Sequence, residues 1–66
     1  MDNMNLTPTG LRYLRVEVLG LSQSELADEL GVTRYAVSKW ENGAEPIDRR
    51  TDLAVTFLCL RLYGHA

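Results

Sequence analysis

Cysteine and histidine each occur once, at Cys59 and His65, which excludes an intrachain disulfide and argues against a structural zinc site. A reducing, cytoplasmic setting fits that cysteine usage best. No apolar run reaches the length of a membrane span, and the opening MDNMNLTPTG lacks the basic and apolar regions of a signal peptide. Nor is there a Ser/His/Asp set, a metal-ligand cluster or a glycine-rich phosphate loop, so an enzyme is not expected and no cofactor is implied. An excess of positive charge is missing too: seven basic against nine acidic residues leave the chain at −2. What is present is ordinary for a small soluble domain, with 45% hydrophobic and 24% charged residues in a chain of 66.

The stretch from Leu21 to Gly43, LSQSELADELGVTRYAVSKWENG, carries the organisation. Ser22 followed three residues later by Glu25 is the reciprocal capping pattern of a helix start. Leu26, Ala27 and Leu30 then fall at helical spacing, and Gly31 stands where a helix ends. Val32 occupies the turn, and Thr33 caps a second helix with Ala36, Val37 and Trp40 on one side.

At about 100° per residue, those three apolar residues must pack on the protein. Arg34, Tyr35, Ser38, Lys39 and Asn42 share the opposite face, with Glu41 at its edge. A helix held by its back and showing two cations, several hydrogen-bonding groups and no carboxylate suits a nucleic-acid groove. An ordinary solvated face is the alternative from the residues alone. The charge distribution leaves room for the first reading. Residues 33–50 hold Arg34, Lys39, Arg49 and Arg50 against Glu41, Glu45 and Asp48, a local +1, while the remainder carries −3.

Two helices joined by a three- to four-residue turn with glycine form a helix-turn-helix. Ala27 sits where they would approach, Gly31 marks the turn, and Val37 plugs between them. LSQSELADELGVT followed by VSKWENG resembles the lambda repressor/Cro-like, or XRE, family, over roughly Leu11 to Leu60. The resemblance implies an all-α bundle of four or five short helices around a central helix-turn-helix. It also implies sequence-specific binding to double-stranded DNA, with the helix after Thr33 in the major groove and Arg34, Tyr35, Ser38 and Lys39 on base edges. Gln23 matches a family glutamine that contacts a phosphate; Thr33 and Asn42 would lie near the backbone. Arg49 and Arg50 match a region of the phage repressors that reaches phosphates or the minor groove, a solvated arginine pair being the alternative. Many members place an arginine four residues before the glycine equivalent to Gly20, paired with the glutamate matching Glu41. Here that position is Val16 and the nearest arginine is Arg15, so an Arg15–Glu41 pair and two independent solvated charges both remain open.

Outside the motif, residues 1–6 are expected to be flexible, residues 7–63 to form the domain and 64–66 a tail. Thr7-Pro8 starts a first helix running to about Leu19, with Gly20 ending it. Leu11, Leu14 and Val18 form its packing stripe, widened by Tyr13, Val16 and Leu19. Asp28 and Glu29 at the end of helix two would repel phosphate and should face away from DNA. Ile47 is expected to tuck inward and the last helix to start near Asp48.

From Leu53 to Tyr63 nine of eleven residues are apolar, whereas one buried face needs roughly three in seven. Ala54, Phe57, Leu58 and the stem of Arg61 are expected on the core. Val55, Cys59, Leu60, Leu62 and Tyr63 are expected at a dimer interface, because so large an apolar surplus usually marks one; a buried C-terminal helix wrapped by helix one is the alternative. The expected function is a transcriptional regulator, a repressor acting as a homodimer. The competing reading is an antitoxin-like interaction module whose main partner is another polypeptide, a role that members of this family combine with DNA binding.

Overall fold

Each helix begins where a side chain accepts from its first-turn amides. In the computed structural model, which describes residues 6–62, Thr7 Oγ1 accepts from Gly10 N at 2.9 Å and opens α1 (Pro8–Tyr13). Ser22 Oγ accepts from Glu25 N at 3.0 Å while Glu25 Oε1 accepts from Ser22 N at 2.8 Å, opening α2 (Gln23–Leu30). Thr33 Oγ1 accepts from Ala36 N at 3.1 Å to start α3 (Arg34–Glu41). Asp48 Oδ1 accepts from Thr51 N at 2.8 Å to start α4 (Arg49–Leu62). Each such cap is worth about 1 kcal/mol. No strand occurs among the described residues, and the all-α bundle with a central helix-turn-helix is the observed fold.

The turn between α2 and α3 forms as its residues require. Gly31 takes φ 74°, and Val32 N donates back to Ala27 O at 3.0 Å. A side chain at Gly31 would meet no neighbouring atom, so conformation rather than space demands glycine there. Ala27 and Val37 are buried where the two helices meet, and with Leu11, Leu26, Ile47, Val55 and Leu58 they make the core.

The first helix departs from a uniform α-helix. After Tyr13 it continues as a π-helical segment, Leu14–Leu19, and Gly20 N donates to Arg15 O, five residues back. Leu21 N reaches the same carbonyl at 2.9 Å. The wider turn absorbs one more residue than an α-turn before the chain reaches Gly20. Leu11, Leu14 and Leu19 meet the core as expected, but Arg15 is also turned inward. Tyr13 and Val16 do not widen the stripe; they are 59% and 41% exposed.

On α4 the packing phase differs from the expected one. Val55 and Leu58 are buried and Cys59 is half-buried against the core. Val55 therefore has no surface to offer a partner and Cys59 little, which corrects their assignment to an interface. Ala54 and Phe57, expected inside, are exposed, Phe57 by 65%. A helix apolar nearly all round has no periodic signal to fix its rotation. Contacts at its ends do so instead. Ile47 buries itself just before the Asp48 cap, Asp52 Oδ2 accepts from Leu6 N at 3.2 Å, and Arg61 pairs with Glu29 at 2.9 Å. Leu6, expected in the flexible N-terminus, thus packs against the core. Leu60 and Leu62 are exposed; Leu60 shares an apolar face with Leu53 and Phe57, whereas Leu62 lies on the opposite side of the helix. Residues 1–5, Tyr63 as an interface residue and the 64–66 tail lie outside the described residues.

Deleting Val16 should turn the π-segment into an α-turn while keeping the bond from Gly20 N to Arg15 O. The deletion variant is expected to unfold in urea within about 1 kcal/mol of the parent. A loss of about 3 kcal/mol or more, as for a broken buried ion pair, would contradict this account of the segment.

Candidate nucleic-acid interface

Helix α3 is fixed from behind and presented from the front. Val37 is fully buried, and Ala36 and Trp40 are half-buried. On the far side Arg34, Tyr35 and Asn42 are exposed, Tyr35 by 70%, with Ser38 and Lys39 partly covered. The structure thus brings the expected base-reading residues Arg34, Tyr35, Ser38 and Lys39 onto one outward face.

Glu41, at the edge of that face, turns inward. Its Oε2 accepts from Arg15 Nε at 2.6 Å and its Oε1 from Arg15 Nη2 at 3.0 Å, a two-pronged pair that fits the planar guanidinium. Gln23 Nε2 donates to the same Oε1 at 3.1 Å, and Arg15 Nη1 donates to Leu21 O at 3.0 Å. One carboxylate therefore ties the first helix, the entry to α2 and the end of α3 together. Of the two alternatives the sequence left open, the ion pair is the one observed. The π-segment makes it possible, since it brings an arginine five residues before Gly20 to Glu41. Burial alone would push the Glu41 carboxyl up, but hydrogen bonds from Arg15 and Gln23 and the charges of Arg15 and Arg12 outweigh it. The group lies below its ordinary value.

Gln23, matched to a phosphate contact, stands at the entry to α2 with its side-chain nitrogen on Glu41. Thr33 spends its hydroxyl on capping α3. Asn42 Oδ1 accepts from Ala44 N at 2.9 Å and so shapes the loop that follows. Arg49 and Arg50 are exposed at the start of α4. Arg50 also borders a cleft of about 170 Å³ lined by Leu30, Val32, Trp40, Thr51 and Ala54. Glu29 is held by Arg61.

One residue of the front face was missed. The loop after α3 folds back so that Glu45 N donates to Lys39 O at 3.2 Å, and Glu45 Oε1 lies 3.0 Å from Lys39 Nζ. The ammonium also sits 4.8 Å from the centre of the Tyr35 ring. The hydrogen bond and charge of Glu45 raise the lysine pKa above its ordinary value. The face therefore does carry a carboxylate, contrary to the reading of α3 by itself. Glu45 lies beyond the helix end, where a wheel does not reach; the Asn42-Gly43 turn signal was the available hint.

A family profile described as helix-turn-helix matches residues 11–51. The chain belongs to this helix-turn-helix family, of the lambda Cro-like (XRE) type. It is a family of DNA-binding transcription regulators. The match takes in the first helix from Leu11 onward, both helices of the motif and the first three residues of α4, and so the whole face described above. No curated protein and no solved structure matches the chain.

The Glu41 geometry has a pH signature. A carboxyl held below its unfolded value of about 4.3 contributes stability that is present above that value and is lost as pH falls through the lower folded one. Glu41→Gln should be less stable than the parent by about 3 kcal/mol at neutral pH. The gap should narrow in acid, as urea midpoints across a pH series would reveal. Parallel stability curves for the two proteins would contradict the assignment.

Proposed function

We propose that this helix-turn-helix protein is a sequence-specific transcriptional repressor that binds an inverted-repeat operator as a homodimer. The observation that carries this reading is the mounting of α3. The helix is locked by Val37 behind and by Glu41 at its end, while Arg34, Tyr35, Ser38 and Lys39 project from its open side. Laid in a major groove, those four reach base edges. Gln23, Thr33, Asn42, Arg49 and Arg50 flank them and suit the phosphates or the neighbouring minor groove. Repression follows from occupying a promoter, in the cytoplasm.

The dimer reading is supported by the outer face of α4. Leu53, Phe57 and Leu60 are all more than half exposed and stand at i, i+4 and i+7. A two-fold axis along such a stripe would bury it against itself and set two α3 helices toward successive major grooves, about 34 Å apart. The same stripe is what an antitoxin-like protein would offer a different polypeptide; self-association is the simpler use of it.

Two substitutions test the parts separately. Arg34 is the first residue of α3, at the end that enters the groove, and a bidentate arginine–guanine contact is worth roughly 1–3 kcal/mol of discrimination. Arg34→Ala should flatten base preference at one position of each half-site; a uniform loss of affinity for every sequence would make Arg34 a phosphate contact instead. Phe57→Glu should convert a sedimenting dimer to monomer and weaken binding to the full repeat while leaving helicity unchanged. A parent protein that is already monomeric and binds one half-site as well as two would rule the dimer out.

A further inference from the structure

We infer that Lys39 and Glu45 act as one reading unit that selects a G·C base pair, rather than as a cation and an unrelated loop carboxylate. This rests on the reading of α3 as the helix that enters the major groove. The two charges lie 3.0 Å apart at the same face, with the lysine side chain about one-third exposed (34%) and the glutamate 52% exposed. Their spacing is built rather than accidental. Ala44 N and Glu45 N both donate to Lys39 O, at 3.0 and 3.2 Å, and Ala44 N shares its hydrogen with Asn42 Oδ1 at 2.9 Å. The backbone carrying the carboxylate is thus bonded directly to the residue carrying the ammonium.

In the major groove a G·C pair presents two adjacent acceptors, guanine N7 and O6, followed by the cytosine N4 amino donor. An ammonium beside a carboxylate is the complement of that order. Lys39 donates to the guanine edge while Glu45 accepts from the cytosine amino group. An A·T pair also sets an acceptor beside an amino donor, but it offers the ammonium one acceptor instead of two and leaves thymine O4 next to the carboxylate, which repels it. On unmatched DNA the two side chains stay on each other, an exposed pair that opens easily. There Lys39 contributes little to phosphate attraction and Glu45 opposes it. The pair therefore lowers non-specific affinity as well as reading one position.

The test is selection of bound duplexes from a random pool by the parent, Glu45→Gln and Glu45→Ala. One selected site and one scrambled duplex are then titrated at two salt concentrations. Both substitutions leave the loop's backbone bonds in place. The parent should enrich a G·C pair in one orientation at one position of each half-site, and both variants should lose that preference. The scrambled duplex should bind the variants roughly five- to tenfold more tightly near 0.1 M salt, with a salt slope steeper by about 0.9, as for one more phosphate neutralised. Variants that enrich the parent's motif unchanged, or that bind both duplexes more tightly by one common factor, would overturn the inference and leave Glu45 a plain charge. A parent that enriches no motif would overturn the reading of α3 itself, and this inference with it.

Discussion

The buried pair between Arg15 and Glu41 is the constraint on which the interface depends. Hydrophobic contact at Val37 and Ala27 brings α3 against the bundle, but apolar packing alone tolerates small rotations and slides. A guanidinium and a carboxylate meeting through two bonds, with Leu21 O and Gln23 Nε2 as further partners, tolerate far less. Such a pair need not add net stability, since desolvating two charges offsets much of their attraction. Its contribution is positional: losing either partner would leave a charge stranded beside the core. A DNA reader needs this, because hydrogen bonds to base edges fail with displacements of a fraction of an ångström.

The weak overall charge makes that precision matter more. At −2 the molecule has little general attraction for a polyanion, and its surplus of cations on the α3 side is small. Part of that surplus is held by Glu45 on Lys39. Affinity in such a protein must come from matched contacts and from doubling the site rather than from phosphate attraction alone. The acidic residues are not placed at random either. Glu41 points inward and Glu29 is tied to Arg61, so these two carboxylates are engaged within the fold.

What could be read from the sequence was local. Ser22 and Thr33 as caps, a last helix starting near Asp48, Gly20 and Gly31 as terminators, and Ala27 and Val37 as the joint are each decided by residues a few positions apart, and all fall as expected. The π-segment was not legible, because i→i−5 bonding has no compositional mark. The displaced arginine was its only trace, and it was compatible with two unpaired charges. The rotation of α4 was hidden for the opposite reason. With Leu53, Val55, Phe57, Leu58, Leu60 and Leu62 all apolar, several faces look equally buried until Ile47, Asp52 and Arg61 choose between them. Glu45 escaped because it joins the α3 face only through the loop's return, a tertiary event that helix periodicity does not register.

Amide chemical-shift mapping of the labelled protein, titrated with a duplex selected from a random pool, decides whether α3 is the helix that meets DNA. The largest changes should fall over residues 33–45 and at the entry to α2 around Ser22 and Gln23, with Arg15 and Glu41 staying paired, if α3 is the reading helix. Little change should fall on the outer face of the first helix near Tyr13 and Val16. Largest shifts along the Leu53–Leu60 face, with α3 unmoved, would contradict that assignment.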